Sequence, residues 1–532
     1  MKSNIIMKIS SGIATFALML IFTSCTSEFD KWNKNPNEAT PDQRETDNQS
    51  TGSPFAQMEH GAFCVGKDRG GSFQIIDILA GGQFGGYFAN LKAGYGVGST
   101  HYSHYVLPDG WVNEPFKNAY TEVMQPWYTI KKECDKDGNK SVLALATVVK
   151  VLGMSRLTDM YGPIPYSKYG GAMQVAYDSQ EDVYKQFFAE LDNAIDVLLS
   201  YHNADKSATL QYNFDYVYSG NVERWLKFAN TLRLRLAMRI SYADESLAKA
   251  EATKSINSAA GFMTTKDDAA KHTLSSANFT YNNPFWEVTT SWQDLHMGAS
   301  IDSYMNGYAD PRVSSYFVAR GGGCYGVRLG LTNINQSSYL DVTSPANIGQ
   351  NAPVYWMKAA EGYFLRAEAK LRWDLGSETA ESLYEQGITL SFDEAGVSGA
   401  ASYISNSTSV PADFADKSGN GNDTSARGTV TIAWDDNDNF ETKLEKIITQ
   451  KWIAIYPDGE EAWSEFRRTN YPKLFPTMND LSGLGLQSLQ IRRLRFPTSE
   501  YETNNANVTA AATLLGGADN AKSKLWWDKK SH

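Results

Sequence analysis

The chain has 532 residues, with 49 basic and 60 acidic side chains and a formal net charge of −11. An acidic chain without a basic block is a poor partner for nucleic acid or for anionic lipid head groups. Four cysteines in this length exclude a disulfide-built scaffold, so a sizeable core has to hold the fold.

The first residues read as an export signal. Lys2 and Lys8 give a positive start, and Ile13 to Phe22 is an apolar run. That run is about half of the roughly twenty residues a membrane-spanning helix needs. Thr23 and Ser24 are small and precede Cys25, which predicts a cleaved signal peptide over residues 1–24. A cysteine directly after the cleavage point suits lipoprotein processing, in which the sulfur is acylated and Cys25 becomes the new N-terminus. Phe22 stands where leucine is usual. Several acyl chains on one cysteine give a durable anchor, since a single chain binds only marginally. Loss of Lys2 and Lys8 takes the net charge from −11 to −13. No later stretch reads as long and apolar enough to span a membrane.

Residues 25–54 are polar and read as a tether between lipid and folded body. The body, 55–532, is predicted to be mainly α. Val142 to Tyr161 and Val183 to Leu199 are helical, the first apolar enough to be largely buried. Trp225, Ala229, Leu232, Leu236 and Ile240 fall at spacings of four, three, four and four, a single apolar stripe. Residues 276–352 then break the helical text with Ser, Asn, Gly and aromatics. Met357, Ala360, Phe364, Ala367 and Leu371 restore it, with Glu361, Glu368 and Arg372 off the stripe. A second loop-rich insertion follows at about 398–439, in which Thr429 to Trp434 is the best candidate strand. Leu444, Ile448, Trp452 and Ile455 form the last clear stripe before Pro457 stops the helix. Loops this long in a compact body are functional or disordered, and their aromatics favour function.

Most apparent chemical motifs fail on inspection. Gly61 to Asp68 nearly spells a phosphate-binding loop, but Asp68 stands where Ser or Thr would hold magnesium. Gly321, Gly323 and Gly326 have dinucleotide-loop spacing, yet no helix follows to carry the pyrophosphate. Asp416, Ser418, Asn420 and Asp423 resemble the start of a calcium loop whose closing glutamate is replaced by Arg427. Asp135, Asp137 and Asn139 fail similarly, with Lys140 at the glycine position. His101 and His104 have no third ligand at metal spacing. The reading is therefore no metal and no cofactor. Arg467–Arg468 and Arg492, Arg493 and Arg495 lie among acids such as Glu460, Glu461 and Glu465, and read as ion pairs pinning helices.

The aromatic supply is large: 13 Trp, 29 Tyr and 24 Phe. Trp and Tyr join a flat apolar face to a polar handle, and sugar rings offer C–H faces and hydroxyls to match. Two segments, 87–111 and 281–294, concentrate Tyr, Trp, Asn and Asp. The candidate ligand-binding residues are Asn90, Tyr95, His101, Tyr102, Trp111, Trp286 and Trp292, with Cys25 for lipidation and no catalytic residue. Three cysteines, Cys64, Cys134 and Cys324, leave room for at most one disulfide.

Six segments together resemble one family. They are the tether Phe29–Thr40, the helix exit Arg156–Ser167, Trp225–Ile240, Tyr363–Ala369, Ile448–Gly459 and Arg492–Tyr501. Their order and wording are similar to those of SusD/RagB outer-membrane nutrient-binding lipoproteins. That resemblance implies a tetratricopeptide-like helix-pair scaffold with long loop-rich ligand-binding segments. The Ala360 and Phe364 pair fits such a repeat. It also implies a surface-exposed lipoprotein that binds oligosaccharide and delivers it to a SusC-like TonB-dependent transporter. Glu28 and Asp30 resemble the acidic tags of surface lipoproteins. Two alternatives are a peptide-binding member of the same uptake system and a surface glycoside hydrolase.

Overall fold

The computed structural model describes residues 48–95, 101–277, 279–332 and 334–531. The signal peptide, Cys25 and most of the tether lie outside them. The helices of the scaffold include α1 (Gln49–Ala62), α2 (Lys140–Tyr161), α3 (Gln180–Ala204), α4 (Val222–Arg239), α5 (Glu245–Ile256), α6 (Ala360–Trp373), α7 (Ala380–Ala395), α8 (Phe440–Ala454) and α9 (Gly459–Thr469). Helices α2 to α5 and α7 to α9 each begin on a Ser, Thr, Asn or Asp whose side chain accepts a backbone N–H of the first turn. These are the residues that satisfy orphan donors at a helix start.

Successive helices pack as pairs: α2 on α3, α4 on α5, and α6 on α7, with α4 also against α3 and α6 against α8. The α6–α7 contact shows why. Ala360 and Phe364 are fully buried, and Gly387 of α7 lies against the Phe364 ring, where a Cβ would come within 2.8 Å of Cζ. A small residue facing a large one lets the two helices approach closely.

Helix α2 is long and apolar enough to cross a membrane, contrary to the expectation for this part of the chain, but its faces are buried in the core. Helix α1 starts at Gln49, so the last residues assigned to the tether are helical. Its opening turn buries Thr51 and Gly52, the latter under Phe214, and such small contacts leave no hydrophobic period to read. Met357 belongs to a strand, not to α6.

Two short antiparallel ladders complete the fold. Strand β1 (Phe88–Asn90) pairs with β3 (Leu295–Met297), and β2 (Ala270–His272) with β4 (Val354–Met357). The segment 276–352 is thus built into the body, and carries a π-helical turn, Glu287–Ser291, and a helix, Ala299–Gly307. The expected strand Thr429–Trp434 joins no sheet. Its carbonyls are taken by side chains instead: Tyr308 Oη donates to Val430 O at 2.9 Å, Tyr384 Oη to Ile432 O at 2.7 Å and Lys446 Nζ to Ala433 O at 2.5 Å.

The arginine clusters are internal struts. Arg468 of α9 grips Glu368 of α6 through both terminal nitrogens at 2.7 Å and reaches Glu465 at 2.6 Å. Arg239 of α4 binds Glu461 and Glu465 of α9 and, at 3.2 Å, Asp159 of α2. Lys451 of α8 meets Glu461 at 2.8 Å, and Arg492 meets Asp528 near the C-terminus at 2.6 Å. Five helices are therefore tied by charges that are all but inaccessible to water.

Candidate functional site

The β1–β3 ladder brings together the two segments singled out for their aromatics. Leaving β1, the chain turns back over the residues before β3. Leu91 N donates to Asp294 O at 2.8 Å, Tyr95 Oη donates to the same carbonyl at 3.0 Å, and Lys92 Nζ reaches Trp292 O at 3.3 Å. Lys92 also pairs with the Asp294 carboxylate, whose Oδ2 accepts from Gln74 Nε2 at 2.7 Å. The juxtaposition is built from backbone and charge, so it is stiff.

The side chains divide between two roles. Asn90, His101 and Tyr102 are fully buried and Trp111 is 6% exposed, so these four side chains are packed inside the fold. Trp111 stands near the start of the helix Asp109–Asn118, with the rings of Tyr102, His101 and Tyr95 at centroid distances of 5.0, 5.8 and 6.0 Å. Burial, with His104 beside it, lowers the His101 imidazole to about 4, so the ring is neutral at pH 7. Its network assigns the proton to Nε2, which donates to Ala93 O at 3.2 Å while Nδ1 accepts from Ser103 N. Asn90 Nδ2 donates to Lys92 O at 2.8 Å. Each of these bonds shapes the 91–95 turn.

Tyr95 and Trp286 are partly exposed, and Trp292, at 38%, is among the most exposed large apolar residues described. Three residues that sequence reasoning missed prepare this indole. Gly70 packs against it: a Cβ there would stand 2.8 Å from Trp292 Cη2 and 2.3 Å from Glu287 Oε2. Glu287 stands beside the same glycine, and Lys92, paired with Asp294, holds the Trp292 main-chain O at 3.3 Å. Gln336 Nε2, from the 334–340 turn, holds Gln293 O at 2.7 Å. No period or motif marks Gly70, Lys92 or Glu287, because only the folded chain brings them to Trp292. The result is a partly exposed indole with a carboxylate beside it.

The calcium-like loop is self-contained. Asp416 Oδ1 accepts from Ser418 N and Oγ at 3.0 and 2.6 Å, and Oδ2 from Asn422 Nδ2 at 2.7 Å. Among the described residues no three His, Cys, Asp or Glu side chains are grouped to hold a metal. Cys64, Cys134 and Cys324 are free, buried thiols, and burial pushes Cys64 up to about 12.

A family model described as "SusD-like: Susd and RagB outer membrane lipoprotein" matches residues 31–528. Among solved structures, a chitin-binding SusD homologue from Flavobacterium johnsoniae is 40% identical, with a TM-score of 0.85 over 90% of this chain and 99% of that one. A SusD homologue from Bacteroides uniformis is 37% identical, with a TM-score of 0.84 over 90% of this chain and 99% of its own. A SusD-like protein from Bacteroides thetaiotaomicron is 32% identical at the same TM-score and the same coverage. A search of curated proteins gave no match. With the family's motifs in order, its helix-pair scaffold in place and its model matched over nearly the whole length, the chain belongs to the SusD and RagB family of outer-membrane lipoproteins.

Proposed function

We propose that this protein is a surface lipoprotein that binds oligosaccharide without turning it over and passes it to a SusC-like TonB-dependent transporter. The observation that carries this reading is the exposed Trp292 indole, packed against Gly70 with the Glu287 carboxylate beside it. A sugar stacks its C–H face on an aromatic plane while its hydroxyls find charged and amide partners at the rim. The 40% identical relative that binds chitin supports the same class of ligand. Tyr95 and Trp286, both partly exposed, are the further candidate contacts, while Trp111, Tyr102, His101 and Asn90 are packed inside the fold.

A glycan array followed by calorimetry on the best hit tests the reading. Trp292→Ala is expected to weaken that hit by about 1–3 kcal/mol, the worth of a hot-spot aromatic, with little change in melting, because the side chain is already partly in water. Unchanged affinity in the mutant would move the platform elsewhere, and turnover of the labelled glycan would replace binder by enzyme. Anchoring has its own test. Cys25→Ser should abolish labelling by a fatty-acid probe, since a hydroxyl cannot replace the sulfur in acylation; a mutant that keeps its label would refute the lipid anchor.

A further inference from the structure

Three segments far apart in the chain bring cations together at a place that shares no residue with the Trp292 site. Arg427, exposed, and Lys473, partly exposed, line a surface pocket with Asn470, Leu474 and Ser488. Arg328 stands at the two residues that follow Leu474: its guanidinium lies 5.1 Å from the Phe475 ring centroid, and Nη2 donates to Pro476 O at 3.4 Å. Arg328 and Arg427 come from the two loop-rich insertions, 276–352 and 398–439. They are close enough for their charges to act on each other: burial first, and then the charge of Arg427, lower Arg328 from its ordinary range.

Arg328 departs from a rule that the rest of the fold keeps. It is only 8% exposed, and an arginine so buried is normally paired. Every other arginine as buried among the described residues meets a carboxylate: Arg233 meets Asp192 at 2.9 Å, Arg312 meets Asp310 at 2.6 Å and Arg493 meets Asp519 at 2.5 Å, and the remainder belong to the internal struts. Arg328, Arg427 and Lys473 have no ion pair among the described residues. Glu445 acts on Lys473 only from beyond ion-pair distance, while Lys530 and Arg427 oppose it. The chain has a net charge of −11, so three cations gathered without a carboxylate run against its composition. Arg328 Nε is covered, but Nη1 makes no hydrogen bond and is not covered, and Arg427 is open to water. A guanidinium presents paired N–H groups in one plane, which match the two oxygens of a carboxylate.

We propose that Arg328, Arg427 and Lys473 form a subsite for the carboxylate of an acidic sugar, separate from the Trp292 face. The carboxylate supplies the counter-charge that the protein withholds, and the hydroxyls of the same ring meet the Asn470 amide and the Ser488 hydroxyl on the pocket wall. Those neutral polar groups favour a uronic acid over a bare inorganic anion, which has no hydroxyls to offer them. The proposal rests on the carbohydrate reading above, and its test keeps the two apart.

The probes are the methyl β-glycosides of glucuronic and galacturonic acid, titrated into the full chain at low salt and followed by ligand-observed NMR. Methyl β-glucoside, acetate and inorganic phosphate are the comparisons. At least one uronoside should bind, more tightly than any of the three, and added salt should weaken it. Arg427→Ala changes an exposed side chain, and Arg328→Met keeps an apolar stem over Phe475. Each should weaken the uronoside about tenfold or more, the worth of a hydrogen bond to a charged group. Trp292→Ala should leave it unchanged. Failure of both uronosides to bind overturns the proposal, as does binding that survives in folded Arg427→Ala and Arg328→Met proteins. Acetate or phosphate bound as tightly as the uronosides also overturns it, since the sugar would then count for nothing. If the uronosides fail while Trp292→Ala loses its oligosaccharide, the subsite is refuted and the Trp292 reading stands. If the arginine variants lose the uronoside while Trp292→Ala binds oligosaccharide normally, the subsite stands and that reading falls.

Discussion

Glu465→Ala is expected to cost about 3–5 kcal/mol of stability, the penalty for removing one partner from a buried ion network. Glu465 is 2% exposed and stands between three cations: Arg239, Arg468 at 2.6 Å and Lys451 at 3.4 Å. Its loss leaves them facing one another inside the protein, tied only to Glu461, Glu368, Glu361 and Asp159. Burial alone would raise both carboxyls, but the cations win: Arg468, Lys451 and Arg239 hold Glu465 well below its ordinary 4.5, and Arg239, Lys451 and Arg235 hold Glu461 at about 2. A folded pKa below the unfolded one adds stability that is present above about pH 4.5 and lost as pH falls towards 2. The difference between wild type and Glu465→Ala should therefore be largest at neutral pH and shrink below pH 4.

Glu460, one turn earlier, supplies the control. Burial raises it to about 8 despite Arg156 and Arg467, so it is largely protonated at pH 7. A raised acid acts in the opposite sense, subtracting stability as pH climbs from about 4.5 to 8. Its Oε1 accepts from Ser464 Oγ at 2.9 Å, which an amide oxygen can also do. Glu460→Gln should then be tolerated where Glu465→Ala is not. Urea unfolding followed by tryptophan fluorescence at pH 7 and pH 4 measures both. A loss in Glu460→Gln as large as that in Glu465→Ala would show that Glu460 also acts as a charged partner, and would overturn its use as the control.

The scaffold was legible because its helices carry the signals that survive without context. The Trp225 to Ile240 stripe and the Ala360 and Phe364 pair are local periods, and both are buried as predicted. Thr429–Trp434 shows the limit. Its β-branched residues fit a strand, but Val430 and Ile432 are buried by contacts whose partners, Tyr308 and Tyr384, lie 122 and 48 residues away. The start of α1 was hidden for the converse reason, since Thr51 and Gly52 are buried without being apolar enough to show it. At the site, the sequence identified the two segments that meet but not which rings face outward. Tyr95, Tyr102, Trp111 and Trp292 have the same chemistry. Tertiary packing alone decides that Tyr102 lies under Trp111 while Trp292 rests on Gly70 in the open.

That division gives the last expected result. Trp111→Ala should destabilise the protein by about 3–5 kcal/mol, as for a large aromatic removed from a core. The indole fills the space between Tyr102 and His101, and its ring also packs on Tyr95 at the base of the exposed turn. Its removal leaves a cavity that the turn cannot close, because Tyr95 Oη and Leu91 N both hold that turn to Asp294 O. Trp111→Phe keeps most of the volume and should lose less than half as much. Binding separates this role from that of Trp292. Below its lowered melting point the folded Trp111→Ala protein should keep affinity within about threefold of wild type, because no atom of Trp292, Glu287 or Lys92 has been removed. Calorimetry and thermal melting on the same two mutants decide it. A Trp111→Ala protein that melts like wild type yet loses the glycan would put this tryptophan on the binding face, and would reverse the assignment of inner and outer rings made here.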